Sequence, residues 1–262
     1  MMVARRLPPE ESQSPLQASA EDQLAALQES LANVLTDASH QIRNHITVIQ
    51  SYLEIVHSEI AATLSDEQLS FLGIAYENVE LLRDLVEDLI LLGALETGIA
   101  DLEAETCELG DVVAAACDAI GARARAAAVS LDNRAGSEIG IVLADPDKLR
   151  DAVERVLDNA VRFTPQGGSV TVRSSAEAGR LQVTIEDTGI GLDAQQLELA
   201  FRVMTQLHRK SGDSREGHGL GLPVAQAVVQ MFGGDITATS VPGKGSAFRI
   251  ELPAAETQTG GG

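Results

Sequence analysis

The sequence predicts an α+β chain in two parts: an antiparallel helical hairpin, then helices on one face of a sheet. Three observations carry this. Apolar residues recur at seven-residue spacing through the N-terminal part of the chain. From Leu109 the pattern changes to short helices alternating with strands. Turn and cap signals such as Asp145-Pro146, Gln166-Gly-Gly and Gly233-Gly234 punctuate that second part.

Residues 1–20 are polar and Pro-broken, and are expected to be flexible. A first helix is expected from about Glu21 to Ala62. Leu24, Leu31, Ala38, His45 and Tyr52 form one heptad series, at d. Gln28, Leu35, Ile42, Ile49 and Val56 form the other, at a. On this register His40 falls at f, facing away from the seam, and His45 falls on the seam as a packed histidine. Ser65-Asp-Glu-Gln68 has the form of a capping box. It opens a second helix to about Leu95, with Leu72, Ala75, Val79, Leu82, Val86 and Leu89 as its seam and Leu81, Leu85 and Leu92 widening the stripe. Two such helices cannot hide their stripes from each other alone, so a dimeric four-helix bundle is expected.

Residues 97–107 read as a linker and 108–253 as the second domain. Its expected helices run from about 110 to 127, Pro146 to Phe163, Ala194 to Phe201 and Gly219 to Phe232. Its expected strands lie near Val129–Leu131, Ile139–Leu143, Ser169–Ser174, Leu181–Glu186, Asp235–Ser240 and Ser246–Glu251. Thr205 to His218 is polar and reads as a loop, and 254–262 as a flexible tail.

Composition excludes several classes. The 262 residues carry a net charge of −20, which argues against a non-specific nucleic-acid surface. It leaves room for a local nucleotide site. Aromatics make up 3% and Trp is absent, so the cores should be aliphatic. Cys107 and Cys117 lack the further ligands of a zinc site and read as reduced thiols of a cytoplasmic protein. No run approaches the ~18–20 apolar residues of a membrane span. The N-terminus lacks the apolar core of a secretory signal.

Four elements in the second domain share a reading as a nucleotide site. Asn159 on a helix offers a hard oxygen ligand for Mg²⁺ on a triphosphate. Arg162, one turn on, is placed to reach phosphate oxygens. Glu186-Asp187-Thr-Gly189-Ile-Gly191 ends a strand; its carboxylate can accept from the amino group of adenine, and its glycines let backbone approach a ligand. Gly217-His-Gly219-Leu220-Gly221 precedes a helix, where free N–H groups face phosphates. Gly243-Lys-Gly245-Ser246 opens the last strand.

In this order and spacing the four resemble the N, G1, G2 and G3 boxes of the ATP-binding fold shared by histidine kinases, Hsp90-type chaperones, type II topoisomerases and MutL. Phe201 matches the F box. Ser39-His40-Gln41-Ile-Arg43-Asn44 resembles the H box of histidine kinases, with Tyr52-Leu-Glu54 trailing it. The resemblance covers about residues 21–253. It implies a dimerisation and histidine-phosphotransfer hairpin (21–96) followed by an α/β-sandwich ATP-binding domain. It implies His40 as phosphoacceptor, with Gln41, Arg43 and Asn44 beside it, Asn44 positioning water for dephosphorylation. ATP and Mg²⁺ are the implied cofactors, with Asn159 on the metal, Asp187 on adenine, Gly217, Gly219, Leu220 and Gly221 along the phosphates and Ser246 nearby. The implied partners are a second copy, a response regulator receiver domain and an upstream sensor protein, the last because no sensor domain precedes Glu21 unless the chain is a fragment.

Three positions depart from the family pattern. Gln41 stands where an acid follows the histidine, which weakens proton acceptance. Arg155 replaces the first Asn of the N box, where a cation either contacts phosphates or disturbs metal binding. His45 replaces a kinking Pro, leaving the helix straighter. The leading expectation is a sensor-type histidine kinase. The alternative is a kinase-weak phosphotransfer, phosphatase or scaffold protein that keeps the fold. A chaperone-like ATPase would give His40 no role.

Overall fold

A computed structural model describes residues 41–96, 103–203 and 219–255. Residues 41–60 are α-helical (α1). The helix runs without a break through His45. A 3-10 turn, Ala61–Thr63, ends it, and α2 spans Asp66–Glu96. The capping box forms as the sequence indicates: the Ser65 N–H donates to Gln68 Oε1 at 2.9 Å and the Gln68 N–H to Ser65 Oγ at 3.3 Å. Asp66 and Glu67 in the first turn suit the helix dipole.

Three cross-helix contacts fix the hairpin register. Arg43 meets Glu87 at 3.9 Å, Gln50 donates to Glu80, and Tyr76 donates to Glu54 at 3.3 Å. Each advance along α1 is matched by an equal retreat along α2, so the helices are antiparallel. Within one chain Ile46 is the buried residue of α1. The expected seam lies elsewhere on the surface: Ile42, Ile49, Tyr52 and Val56 are exposed, and so is His45. His45, on the same heptad series, is likewise left open by a single chain. Leu82 and Leu89 of the α2 seam are exposed as well, while Leu72, Ala75, Val79 and Val86 are half-buried. The seam belongs to a face that one hairpin leaves open.

The second part holds β1 (Glu105–Glu108), α3 (Leu109–Ala126), β2 (Ser130–Asn133), β3 (Ile141–Ala144), α4 (Pro146–Phe163), β4 (Ser169–Glu177), β5 (Arg180–Asp187), α5 (Ala194–Leu199), α6 (Gly221–Met231), β6 (Asp235–Val241) and β7 (Gly245–Pro253). Five strands form a mixed sheet in the order β2-β4-β5-β7-β6, with β2 parallel to β4 and the other pairs antiparallel. Helices α3, α4 and α6 pack together and onto the sheet, which is the helix-on-sheet sandwich expected. β1 and β3 form a separate antiparallel ribbon, pairing Cys107 with Val142.

β1 is a correction. Glu105, Thr106 and Cys107 were expected in the linker, because a largely exposed four-residue strand has no alternation to read. The tail expectation also needs trimming: the Ala254 N–H donates to Gly179 O at 2.9 Å and the Ala255 N–H to Ile141 O at 2.7 Å. Residues 256–262 and 1–20 lie outside the described residues.

α4 shows how sequence sets position. Asp145 caps it through the Asp147 and Lys148 N–H groups, and Pro146 fills the first turn, where no N–H is needed. Leu149, Ala152, Val153, Val156, Leu157, Ala160 and Val161 then fall on one buried face. That face presses on β5, where Leu181, Val183, Ile185 and Asp187 all point inward. The core is aliphatic, with Phe248 its largest fully buried side chain. It also takes in Leu92 and Leu95 of α2, so the end of the hairpin shares the second domain's core. Both cysteines are free, and burial pushes the Cys117 thiol up to about 11, leaving it protonated at neutral pH.

Candidate functional site

The site forms where β5 runs out. Asp187 is the next inward position after Ile185, so alternation alone carries a carboxylate to the helix-facing side, where it is 8% exposed. Its Oδ1 accepts from the Gly189 N–H at 2.7 Å and the Ser246 N–H at 3.2 Å. Burial pushes its pKa up, and those two amides with the Ser246 hydroxyl pull it back. A carboxylate has about four acceptor sites. The backbone occupies two here, which leaves acceptor capacity for a donor brought by a ligand.

The glycines around Asp187 have a different task from the one expected. A Cβ on Gly189 would stand 2.5 Å from Phe163 O, one on Gly191 2.1 Å from Val241 O, and one on Gly245 1.9 Å from Asp187 O. The loop after β5 and the β6–β7 hairpin are thus interlocked backbone to backbone. The Gly243 N–H closes them by donating to Ile190 O at 2.7 Å, and the Ile190 N–H ties the loop to Phe163 O at 3.2 Å. Gly189 and Gly191 admit neighbouring protein, where the sequence reading had them admit a ligand. Ser240 adds a polar pin that the sequence reading missed: its Oγ accepts from the Leu192 N–H at 2.7 Å and lies 3.0 Å from Ser246 Oγ.

On α4, Asn159 is half-buried, and among the described residues its amide makes no hydrogen bond. Arg162 does not stand free for phosphate. It pairs with Asp158 at 2.9 Å, and Arg123 of α3 holds the same carboxylate. Just before α6, Gly219 has φ +73, which L side chains avoid. Gly221 begins the helix, with nothing closer to its would-be Cβ than Arg155 Cβ at 4.0 Å. Leu220, expected along the phosphates, has its side chain fully buried; only its backbone can face a ligand. An apolar side chain next to a glycine turn anchors the start of the helix in the core. The N-terminus of this 11-residue helix offers N–H groups to an anion. These donors and acceptors suit an adenine nucleotide.

Gln41, Arg43 and Asn44 are exposed on α1. His40, Gly217 and the 205–218 loop, with His208 and His218, lie outside the described residues.

Arg155 has a partner the sequence reading did not supply. Its Nη1 lies 2.6 Å from Oδ1 of Asp88 on α2, a carboxylate only 1% exposed. The signal was present. Asp88 sits among Leu85, Leu92 and Leu95 at helical spacing, a charge in an apolar stripe.

Comparison with known proteins agrees with this architecture. Residues 30–98 match the His Kinase A (phospho-acceptor) domain, and residues 144–256 match the histidine kinase-, DNA gyrase B-, and HSP90-like ATPase family. The chain is 30% identical over 236 residues to histidine protein kinase DivJ of Caulobacter vibrioides, covering 87% of this chain and 38% of DivJ. It is 27% identical over 216 residues to alginate biosynthesis sensor protein KinB of Pseudomonas aeruginosa, covering 82% of this chain and 36% of KinB. Full-length ShkA, solved in complex with AMPPNP, shares the fold with a TM-score of 0.71 at 23% identity, covering 86% of this chain and 46% of ShkA. The chain spans less than half the length of the curated relatives it matches. Among the described residues no helix is long and apolar enough to cross a membrane. A phospho-acceptor hairpin joined to an ATPase sandwich, in this order and over most of the chain, makes it a member of the two-component sensor histidine kinases.

Proposed function

We propose that this chain is the kinase core of a two-component system, phosphorylating itself on His40 from Mg-ATP and passing the phosphoryl group to an aspartate of a response regulator. One observation carries the reading: a buried carboxylate, Asp187, pinned by two backbone amides in a domain whose α6 begins at a glycine turn. Asp187 accepts from the adenine amino group. The N–H groups of Gly219, Leu220 and Gly221 would face the phosphates, with Gly217 assigned beside them by its place in the glycine box alone, and Asn159 would supply an oxygen to Mg²⁺. Bound ATP supplies the phosphoryl group, and Mg²⁺ neutralises its charge. An imidazole nitrogen of His40 forms the N–P bond as the bond to the bridging oxygen breaks and ADP leaves. Gln41 and Asn44 orient the imidazole and water, and Arg43 holds its helix to α2 through Glu87.

The exposed row Ile42, Ile49, Tyr52, Val56, Leu82 and Leu89 supports a homodimer through a four-helix bundle. A receiver domain and an upstream sensor complete the proposed partners. The proposed compartment is the cytoplasm, in keeping with two free thiols.

The test is labelling with ATP radioactive at the γ-phosphate. Wild type takes an acid-labile label that His40→Ala loses and His45→Ala retains. An ATP-bound but unlabelled wild type would overturn the kinase reading. Gln41 gives a second expectation. A carboxylate there can take the imidazole proton, so Gln41→Glu speeds initial labelling on the order of 10²-fold. An unchanged rate would show that proton acceptance at this position does not limit the step.

A further inference from the structure

Arg155 stands between two anion sites. On one side is Asp88, 2.6 Å away and shielded from water. On the other is the start of α6, where Arg155 Cβ approaches the open side of Gly221. Asn159 lies one turn further along the same face of α4. A guanidinium is the group best matched to either a carboxylate or a phosphate, but its fork cannot serve both in full. Asp88 is also the polar centre of the contact between hairpin and sandwich. Leu85, Leu92 and Leu95 flank it on the same face of α2 and pack on the second domain's core.

We propose that Asp88 and Arg155 form a clasp between the hairpin and the nucleotide domain, and that the phosphates of a bound nucleoside triphosphate open it by drawing Arg155 away. The proposal rests on the reading of the glycine boxes as an ATP site. Its physical basis is competition. A buried carboxylate that loses its cation gains from hydration, so release of Arg155 favours water entering between α2 and the domain. Linkage then runs both ways: what opens the clasp tightens nucleotide binding.

The test uses the full chain and a nonhydrolysable ATP analogue with Mg²⁺, reading affinity by calorimetry and amide exchange over residues 85–95. In wild type the analogue speeds exchange there. Asp88→Asn exchanges fast without nucleotide and binds the analogue about tenfold tighter. Arg155→Gln also exchanges fast but binds no tighter, since its phosphate contact is gone. The swap Asp88→Arg with Arg155→Asp restores slow exchange and weakens binding. A wild type that binds the analogue with unchanged exchange would overturn the clasp alone. So would an Asp88→Asn variant that folds and binds no tighter. A wild type that binds no nucleotide would instead sink the ATP reading, and with it the opening step.

Discussion

Gly245→Ala destabilises the chain by about 2–6 kcal/mol and removes nucleotide binding, although residue 245 contacts no ligand in the proposed site. Two costs add. Gly245 has φ +103, a conformation that strains an L residue by about 1–3 kcal/mol. A Cβ there would also stand 1.9 Å from the Asp187 carbonyl oxygen and 2.8 Å from its carbon. Backbone must move, at a cost of about 1–3 kcal/mol, and what moves is the peptide carrying Asp187. Gly243→Ala is the internal control. It lies in the same hairpin with φ +74 and nothing within 4 Å, so it incurs the strain without the collision. Its loss should be about 1–2 kcal/mol with nucleotide affinity nearly kept. Urea titration with parallel nucleotide binding separates the two. If Gly245→Ala unfolds and binds like Gly243→Ala, the interlock of loop and hairpin does not hold the site.

That interlock marks where the sequence could be read and where it could not. The glycine spacing announced the boxes, because glycine runs at strand and helix ends are legible. The reason for the glycines was not: whether Gly191 faces a ligand or Val241 depends on how two loops far apart in sequence fold together. Helices α4 and α2 were legible because Asp145-Pro146 and Ser65-Asp-Glu-Gln68 are local signals. β1 was not, since its strand character comes from pairing with β3 and from nothing in its own residues. The same holds for charges. Arg162 and Arg155 were visible as cations near a phosphate site, but their partners Asp158 and Asp88 are chosen by packing. Asp158 sits one turn from Arg162, within reach of a helix-surface rule. Asp88 stood out as a charge in an apolar stripe, but its pairing with Arg155 comes from how α2 meets the second domain.

Asp187→Asn tests the core of the site with little change of shape. The asparagine carbonyl can still accept from the Gly189 and Ser246 amides, which hold Oδ1 at 2.7 and 3.2 Å. What changes is the other end of the side chain. An acceptor becomes an NH₂ donor, facing the amino group of adenine, also a donor. A hydrogen bond to a charged acceptor is worth about 1.5–3 kcal/mol, so ATP binding weakens by about 10- to 100-fold or more. Guanine presents a carbonyl where adenine presents the amino group. The loss should therefore be smaller for GTP, narrowing the preference for adenine. The pH dependence gives a second reading. Burial raises the Asp187 pKa above its ordinary 3.8. The folded chain then holds this proton more tightly than the unfolded one. This carboxyl opposes folding above its raised pKa, and that penalty is relieved as pH falls through the raised value toward 3.8. Nucleotide binding has the opposite sign, because adenine needs the ionised acceptor, so affinity falls over the same window. Comparing wild type with Asp187→Asn cancels the titration of the nucleotide's own phosphates. Calorimetry across that window should show wild type losing its affinity advantage over the variant as pH falls. Equal acid sensitivity in both would remove Asp187 from the base-reading role, whatever the affinities at neutral pH.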